Sequence, residues 1–390
     1  MPPSVIVVGG GIIGCATAYD LAKAGCRVTL FERATPGAEA SSAAAGLLAP
    51  VGETKRSGPF QKLALDSWAR YPDIARELRD VTGVDVEHMT TGTLYPIFGR
   101  EELVGAQEQT RFPLAKEMGM RVVEGTELRD MEPWLSPEIP AALFVRGDHW
   151  VNNQRLVTAY ATAAAGRGVE IRTGVEVTQL TAEGGRVTGV VAAGERVGAE
   201  CVLLAAGAWS GPLAATLGLN LPVAPVRGQM MAVSNVPPLL RHAVHGHQGY
   251  LTPRPSGELL IGATVEHVGF ERAITAEGLA HLVNGAIAVV PELRRRPVTR
   301  TWCGFRPGTP DDMPVLGPWP GLEGLYVASG HYRNGILLAP ATAALMTQAI
   351  LGGGISDLIK PFLPDRLLDG PDPLLDGPDP LLDRSPHAHP

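Results

Sequence analysis

Cysteine is scarce in this chain: four in 390 residues (Cys15, Cys26, Cys201 and Cys303), with no Cys-x-x-Cys and no grouping with histidine at metal-ligand spacing. No metal site is expected, and a chain of this length needs no disulfide staples, so the usage fits a reducing cytoplasm. Basic residues are outnumbered, 33 Lys and Arg against 40 Asp and Glu, giving a formal charge of −7. That balance excludes a general attraction to nucleic acid or to an anionic membrane. No charged segment followed by a long apolar run opens the chain, because the first hydrophobic stretch, Val5-Ile6-Val7-Val8, is short. Two uncharged stretches, 202–226 and 334–356, approach membrane-spanning length. The first carries three prolines and three glycines, the second Pro340, Gln348 and a glycine triplet, so both read as buried core.

What the sequence does have is glycine in a telling place. The run Val5–Val8 leads into Gly9-Gly10-Gly11-Ile12-Ile13-Gly14, the spacing of a diphosphate-binding turn between a buried strand and a helix. Gly9 suits the tight turn, Gly11 lets the backbone approach a pyrophosphate, and Gly14 lets the helix pack close to the strand; the helix N–H groups then meet the phosphate charge. Ala18 and Gly25 are expected to keep the inner face of that helix small. A second strand, 27–31, ends in Glu32, an acid placed to accept the ribose hydroxyls of a dinucleotide.

Further strands are expected at 169–172, 187–191, 201–205 and 325–328, with helices at Asn153–Gly166 and 336–351, the latter apolar nearly all round and so buried. Segments 228–233, 247–253 and 258–264 alternate as an antiparallel sheet would. The fold class is therefore α/β: a Rossmann-like dinucleotide-binding domain with an intergrown antiparallel-sheet (α+β) substrate domain. The expected division is 1–85, 147–220 and 302–366 for the first and 86–146 and 221–301 for the second. Residues 367–390, where Leu-Leu-Asp-Gly-Pro-Asp-Pro repeats, are expected to form a flexible tail.

Three further segments carry chemistry. Residues 40–50 are small, with Ser41 and Ser42, and would let a flat ring approach the backbone; Cys201–Leu204 runs into Ala205-Ala206-Gly207, another place of close approach. Gly330-His331-Tyr332-Arg333-Asn334-Gly335 feeds the buried helix at Ile336, aiming its positive end at whatever lies before it. Arg306 is the candidate anchor for a carboxylate, since a guanidinium clasps one bidentately and stays charged in a pocket. Pro307 and Gly308 are expected to form a rigid bend that presents it.

Four pieces together resemble the amino-acid oxidase family of FAD flavoproteins: Gly9–Gly14 with Glu32, Ser41-Ser42-Ala43-Ala44-Ala45-Gly46, Gly304-Phe305-Arg306-Pro307-Gly308-Thr309-Pro310-Asp311, and Gly330 to Pro340. The likeness is greatest to the branch that oxidises glycine and other small amines and is associated with thiamine biosynthesis. It covers residues 3–355. The resemblance implies noncovalent FAD held by Gly9, Gly11, Ile12, Ile13, Gly14, Glu32 and Arg33, by Ser41, Ser42, Ala45, Gly46 and Leu47, and by Val177 and Gly207. It adds His331, Tyr332, Arg333, Asn334, Gly335, Ile336 and Leu337 around the flavin edge. Tyr250 resembles the family tyrosine that shares the substrate carboxylate with Arg306, and Arg333 sets the amine. His247 or Gln248 would supply a polar wall; Leu47 and Val265 would limit pocket volume. Related sarcosine oxidases tether flavin to a cysteine in this region, but Cys303 is one residue out of step and is expected to be buried packing. The resemblance further implies oxygen as acceptor, hydrogen peroxide as product and a homotetramer. A D-amino-acid dehydrogenase passing electrons to a quinone, a sarcosine oxidase, a nicotinamide dehydrogenase and a nucleotide-binding module without chemistry are the alternatives.

Overall fold

The computed structural model describes residues 2–52 and 58–367; the repeat after Leu367 lies outside them. Two large sheets organise the chain. The first runs in the order Val315–Pro318, Leu325–Ser329, Cys201–Leu204, Ser4–Val8, Arg27–Glu32, Glu170–Thr173, parallel throughout except for the outer hairpin of 315–318 with 325–329. Val5 and Val7 face a layer of helices, Ile12–Lys23, Pro59–Thr82, Asn153–Gly166 and Gly335–Ile350, while Ile6 and Val8 face an antiparallel meander of Val177–Glu183, Arg186–Ala192 and Glu195–Gly198. A strand covered on both sides has no polar face, which is why Val5–Val8 is an unbroken apolar run.

The second sheet has eight strands, ordered Val298–Gly308, Ala224–Ser234, Glu258–Gly262, Gly249–Pro253, Ala243–Gly246, Thr93–Ile97, Ala141–Val145, Met120–Glu124. It is antiparallel except where 243–246 meets 93–97. Helix Ala276–Val289 buries Leu282, Ala286 and Val289 in a core with Leu251, Ile261 and Met231. Every strand expected from alternation is present, with edges displaced by a few residues.

Three local expectations are corrected. Gly25 lies beyond the end of the first helix, at φ +86°, and a side chain there would meet only Pro2, so it serves the turn and not the helix face. Arg306-Pro307-Gly308 forms no bend: the strand stays in ladder with its neighbour, Arg306 opposite Val226, Pro307 opposite Pro225 and Gly308 opposite Ala224. The boundary expected at 302 consequently falls inside a strand of the second sheet. The stretch 334–356 contains the buried helix Gly335–Ile350, and among the described residues no helix is long and apolar enough to cross a membrane.

Candidate functional site

The glycine turn builds the first wall. Gly9 adopts φ +109°, and a Cβ at Gly14 would collide with the Gly9 carbonyl oxygen, so helix and strand pack at a distance only glycine permits. The helix Ile12–Lys23 starts at Gly11, which has no capping side chain; Ser41 supplies the cap from outside, its Oγ accepting the Ile12 N–H at 2.9 Å. Glu32 ends its strand buried, with Oε2 accepting the Gly10 N–H at 2.8 Å and Oε1 the Ala34 N–H at 2.9 Å. Each oxygen retains acceptor capacity for a hydroxyl.

A cavity of about 410 Å³ opens from this turn. Gly9, Gly11, Ile12, Ile13, Glu32, Arg33 and Ser41 line one side, Val177 and Gly207 another, and His331, Tyr332, Arg333, Gly335 and Ile336 the far end. Trp209 joins them, with the Arg33 guanidinium 3.7 Å from its ring centre and Phe270 stacked at 4.8 Å. His331 is buried and its Nε2 pairs with Thr342 Oγ1 at 3.2 Å; burial pushes its pKa down to about 3, so the ring is neutral.

A second cavity of about 460 Å³ adjoins it. The two share Ala40, Ala44, Tyr332, Arg333 and Ile336, so one slot runs from the glycine turn into a chamber beneath the second sheet. Ala45, Gly46, Leu47, Asn334, Tyr250, Arg306, Val265, His247 and Gln248 line the chamber. Arg306 donates Nη1 to the Thr264 carbonyl at 2.9 Å, and its guanidinium lies across Gly228 on the neighbouring strand, where any Cβ would strike it. Tyr250 directs its hydroxyl to Met230 Sδ at 3.3 Å. Both side chains therefore meet in one chamber, although they stand on strands separated by two others.

Three expected contacts lie outside the slot. Gly14 packs against the turn; Ser42 gives its carbonyl to Asn153 and its N–H to Gly37; Leu337 is buried among the helices. Cys303 lines neither cavity, because strand alternation places it on the face opposite Gly304 and Arg306. It is half-buried, not fully packed as expected, and burial pushes its thiol pKa up.

Several residues escaped the sequence. Arg227, Gln229 and the half-buried Glu266 form a polar knot in the chamber wall: Gln229 Nε2 donates to Glu266 Oε1 at 2.7 Å and Arg227 Nε to Glu266 Oε2 at 2.6 Å. Burial raises the Glu266 pKa, but bonds from Thr264, Arg227 and Gln229 outweigh that and hold it below the ordinary carboxylate value. The one available signal was Gly228 between Arg227 and Gln229, a side-chain-free site facing Arg306.

The donor set fits a flavin dinucleotide: glycine-walled turn, helix start, buried carboxylate for hydroxyls, and a ring-sized passage bounded by Ala40, Ala43, Ala44, Ala45 and Gly46. Comparison with known proteins agrees. The family described as "DAO: FAD dependent oxidoreductase" matches residues 4–349. Glycine oxidase of Pseudomonas putida is 38% identical over 90% of this chain and 95% of its own length. The crystal structure of glycine oxidase from Geobacillus kaustophilus superposes with a TM-score of 0.87 at 36% identity, covering 93% of this chain and 98% of that one. The bifunctional protein ThiO/ThiG of Trichormus variabilis is 36% identical over 93% of this chain, which spans 55% of that longer protein.

Proposed function

The chain belongs to the FAD dependent oxidoreductase family, and from that membership we propose that it oxidises glycine and other small amines such as sarcosine and small D-amino acids. Glycine, water and oxygen would give glyoxylate, ammonia and hydrogen peroxide. The similarity to ThiO/ThiG supports a place in thiamine biosynthesis.

The observation that carries this reading is the convergence of Arg306 and Tyr250 in a chamber that shares the Tyr332–Arg333 and Ile336 wall with the dinucleotide slot. Bound FAD supplies the two-electron acceptor for a hydride leaving the α-carbon. Arg306 clamps the substrate carboxylate with its planar fork, and the Tyr250 hydroxyl shares it. Fixing the carboxylate orients the α-carbon, and Arg333, at the junction of the cavities, bounds the amine. An amine bound uncharged drives the reaction with its own lone pair, so no acid–base side chain is required. The start of helix Gly335–Ile350 places a positive dipole end at the far end of the dinucleotide slot, beside the neutral His331.

A substrate panel with peroxide detection, an oxygen electrode and an artificial quinone tests the proposal. Glycine-dependent oxygen uptake with stoichiometric peroxide is expected. Turnover that reduces quinone without consuming oxygen would replace it with a dehydrogenase.

A further inference from the structure

Arg254 follows directly on the strand Gly249–Pro253 that carries Tyr250. It is 9% exposed, yet all of its hydrogen bonds go to neutral acceptors: Nη1 to the Val151 carbonyl at 3.0 Å, Nη2 to the Ala45 carbonyl at 2.7 Å and to Asn153 Oδ1 at 3.2 Å. The guanidinium also lies 4.8 Å from the centre of the Trp150 ring. Burial lowers its pKa to about 10, which leaves it cationic near neutral pH. A buried cation bonded to no carboxylate among the described residues is costly to fold around, and dipoles with an aromatic face repay only part of that cost.

What those bonds hold is the segment that walls both cavities. Asn153, fixed by Arg254 through its Oδ1, gives its Nδ2 to the carbonyls of Ser41 at 2.7 Å and Ser42 at 3.1 Å. Ser41 in turn caps Ile12 at the diphosphate turn. On the other side, the Gly46 carbonyl accepts the Val151 N–H at 2.9 Å, in a contact so close that a Cβ at Gly46 would collide with the Val151 carbonyl. Residues 40–47 are thus gripped from behind at two points, and one guanidinium serves both.

We propose that Arg254 is a positioning residue: it fixes segment 40–47 to the strand of Tyr250, and thereby sets the seat of the dinucleotide relative to the carboxylate site. The inference rests on the reading of the slot as a place for FAD and an amino acid. Lysine at 254 keeps the charge but lacks the fork that reaches three acceptors. Asn153→Asp keeps an acceptor for Arg254, now as an ion pair, while losing both donors to the serine carbonyls.

The test measures the FAD dissociation constant of each apoprotein by flavin fluorescence, its thermal unfolding, and the change in flavin absorbance on adding glycolate, a carboxylate without an amine. For Arg254→Ala and Arg254→Lys, FAD should bind at least tenfold more weakly, and the glycolate dissociation constant at saturating FAD should rise at least threefold. Methylguanidinium should restore FAD affinity to Arg254→Ala, and methylammonium should not. Asn153→Asp should weaken FAD at least tenfold with an apoprotein unfolding temperature no lower than the parent's. A smaller loss of FAD affinity in Arg254→Lys and Asn153→Asp overturns the proposal, whatever happens to Arg254→Ala; so does a fall in unfolding temperature with FAD and glycolate binding unmoved. If the parent oxidises no amine, the proposed function fails, while the FAD affinities still decide the role of Arg254.

Discussion

Arg306 lines the chamber and Glu32 the dinucleotide cavity, so the roles proposed for them can be tested separately. Arg306→Lys keeps a positive charge in the chamber but loses the planar fork that clamps a carboxylate. If orientation of the α-carbon depends on that clamp, kcat/KM for glycine should fall by about 30- to 1,000-fold, equivalent to about 2–4 kcal/mol in the transition state. Flavin content should be unchanged, and amines without a carboxylate should be equally poor with both forms. Steady-state kinetics on the pair of substrates checks this, and a loss within about threefold would remove Arg306 from the anchor role. Glu32 lines the dinucleotide cavity and not the chamber. In Glu32→Ala the Gly10 and Ala34 N–H groups also lose their acceptor, and FAD should bind more weakly by roughly 1.5–3 kcal/mol, the value of a charge-assisted hydrogen bond. Turnover at saturating FAD should remain near that of the parent; unaltered affinity would mean that the ribose is held elsewhere.

The strand–turn–helix at the N-terminus was legible because it is local: the glycines, the apolar run and Glu32 are read directly from neighbouring residues. Its geometry makes Gly14→Ala a sharp probe, since the new methyl group meets the Gly9 carbonyl with nothing flexible to yield. Overpacking there should cost about 1–3 kcal/mol of apoprotein stability and strip FAD during purification, both seen by thermal unfolding and by the flavin absorbance of the purified protein. The strand Val298–Gly308 was half legible. Arg306 lines the chamber, but the sequence suggested a bend at Pro307-Gly308 where the ladder with Ala224–Ser234 continues, because a proline on a strand facing another proline removes no hydrogen bond that a bend would restore. The same alternation that aims Arg306 into the chamber turns Cys303 away from it, so FAD should be released in full into the supernatant on acid precipitation; colour in the pellet would mean a covalent tether. Arg254, Gln229 and Glu266 were illegible for another reason. Their partners, Ala45, Val151, Thr275 and Arg227, are distant in sequence, and no periodicity announces contacts made by segments so far apart.

Stability of the whole protein couples to proton uptake through groups that the fold buries in the layers between its sheets and helices. His331, beneath helix Gly335–Ile350, has its pKa pushed down to about 3 by burial. His149, on the short ladder with Leu48 and paired with His88 at 3.1 Å, is pushed down to about 4 by burial and then by the neighbouring imidazole. In both, the folded value lies below the unfolded one, so below about pH 6.5 the unfolded chain takes up protons that the folded chain refuses. Their contribution is complete above that pH and declines as pH falls toward the folded values. Asp20 works in the opposite direction. Burial raises its pKa to about 6, so between about pH 6 and 4 the folded chain holds a proton that the unfolded chain gives up, which offsets roughly one histidine. Together these three groups contribute a loss of about 1.4 kcal/mol per pH unit as pH falls over that window, the value of one proton. Urea unfolding of the apoprotein across pH 4–7 measures the slope. His331→Gln, which keeps a polar group beside Thr342, should flatten it by about one proton, and Asp20→Asn should steepen it by about one. A slope in His331→Gln equal to the parent's would show that the imidazole already carries its proton inside the folded protein, and that the far end of the dinucleotide slot is positively charged instead of neutral.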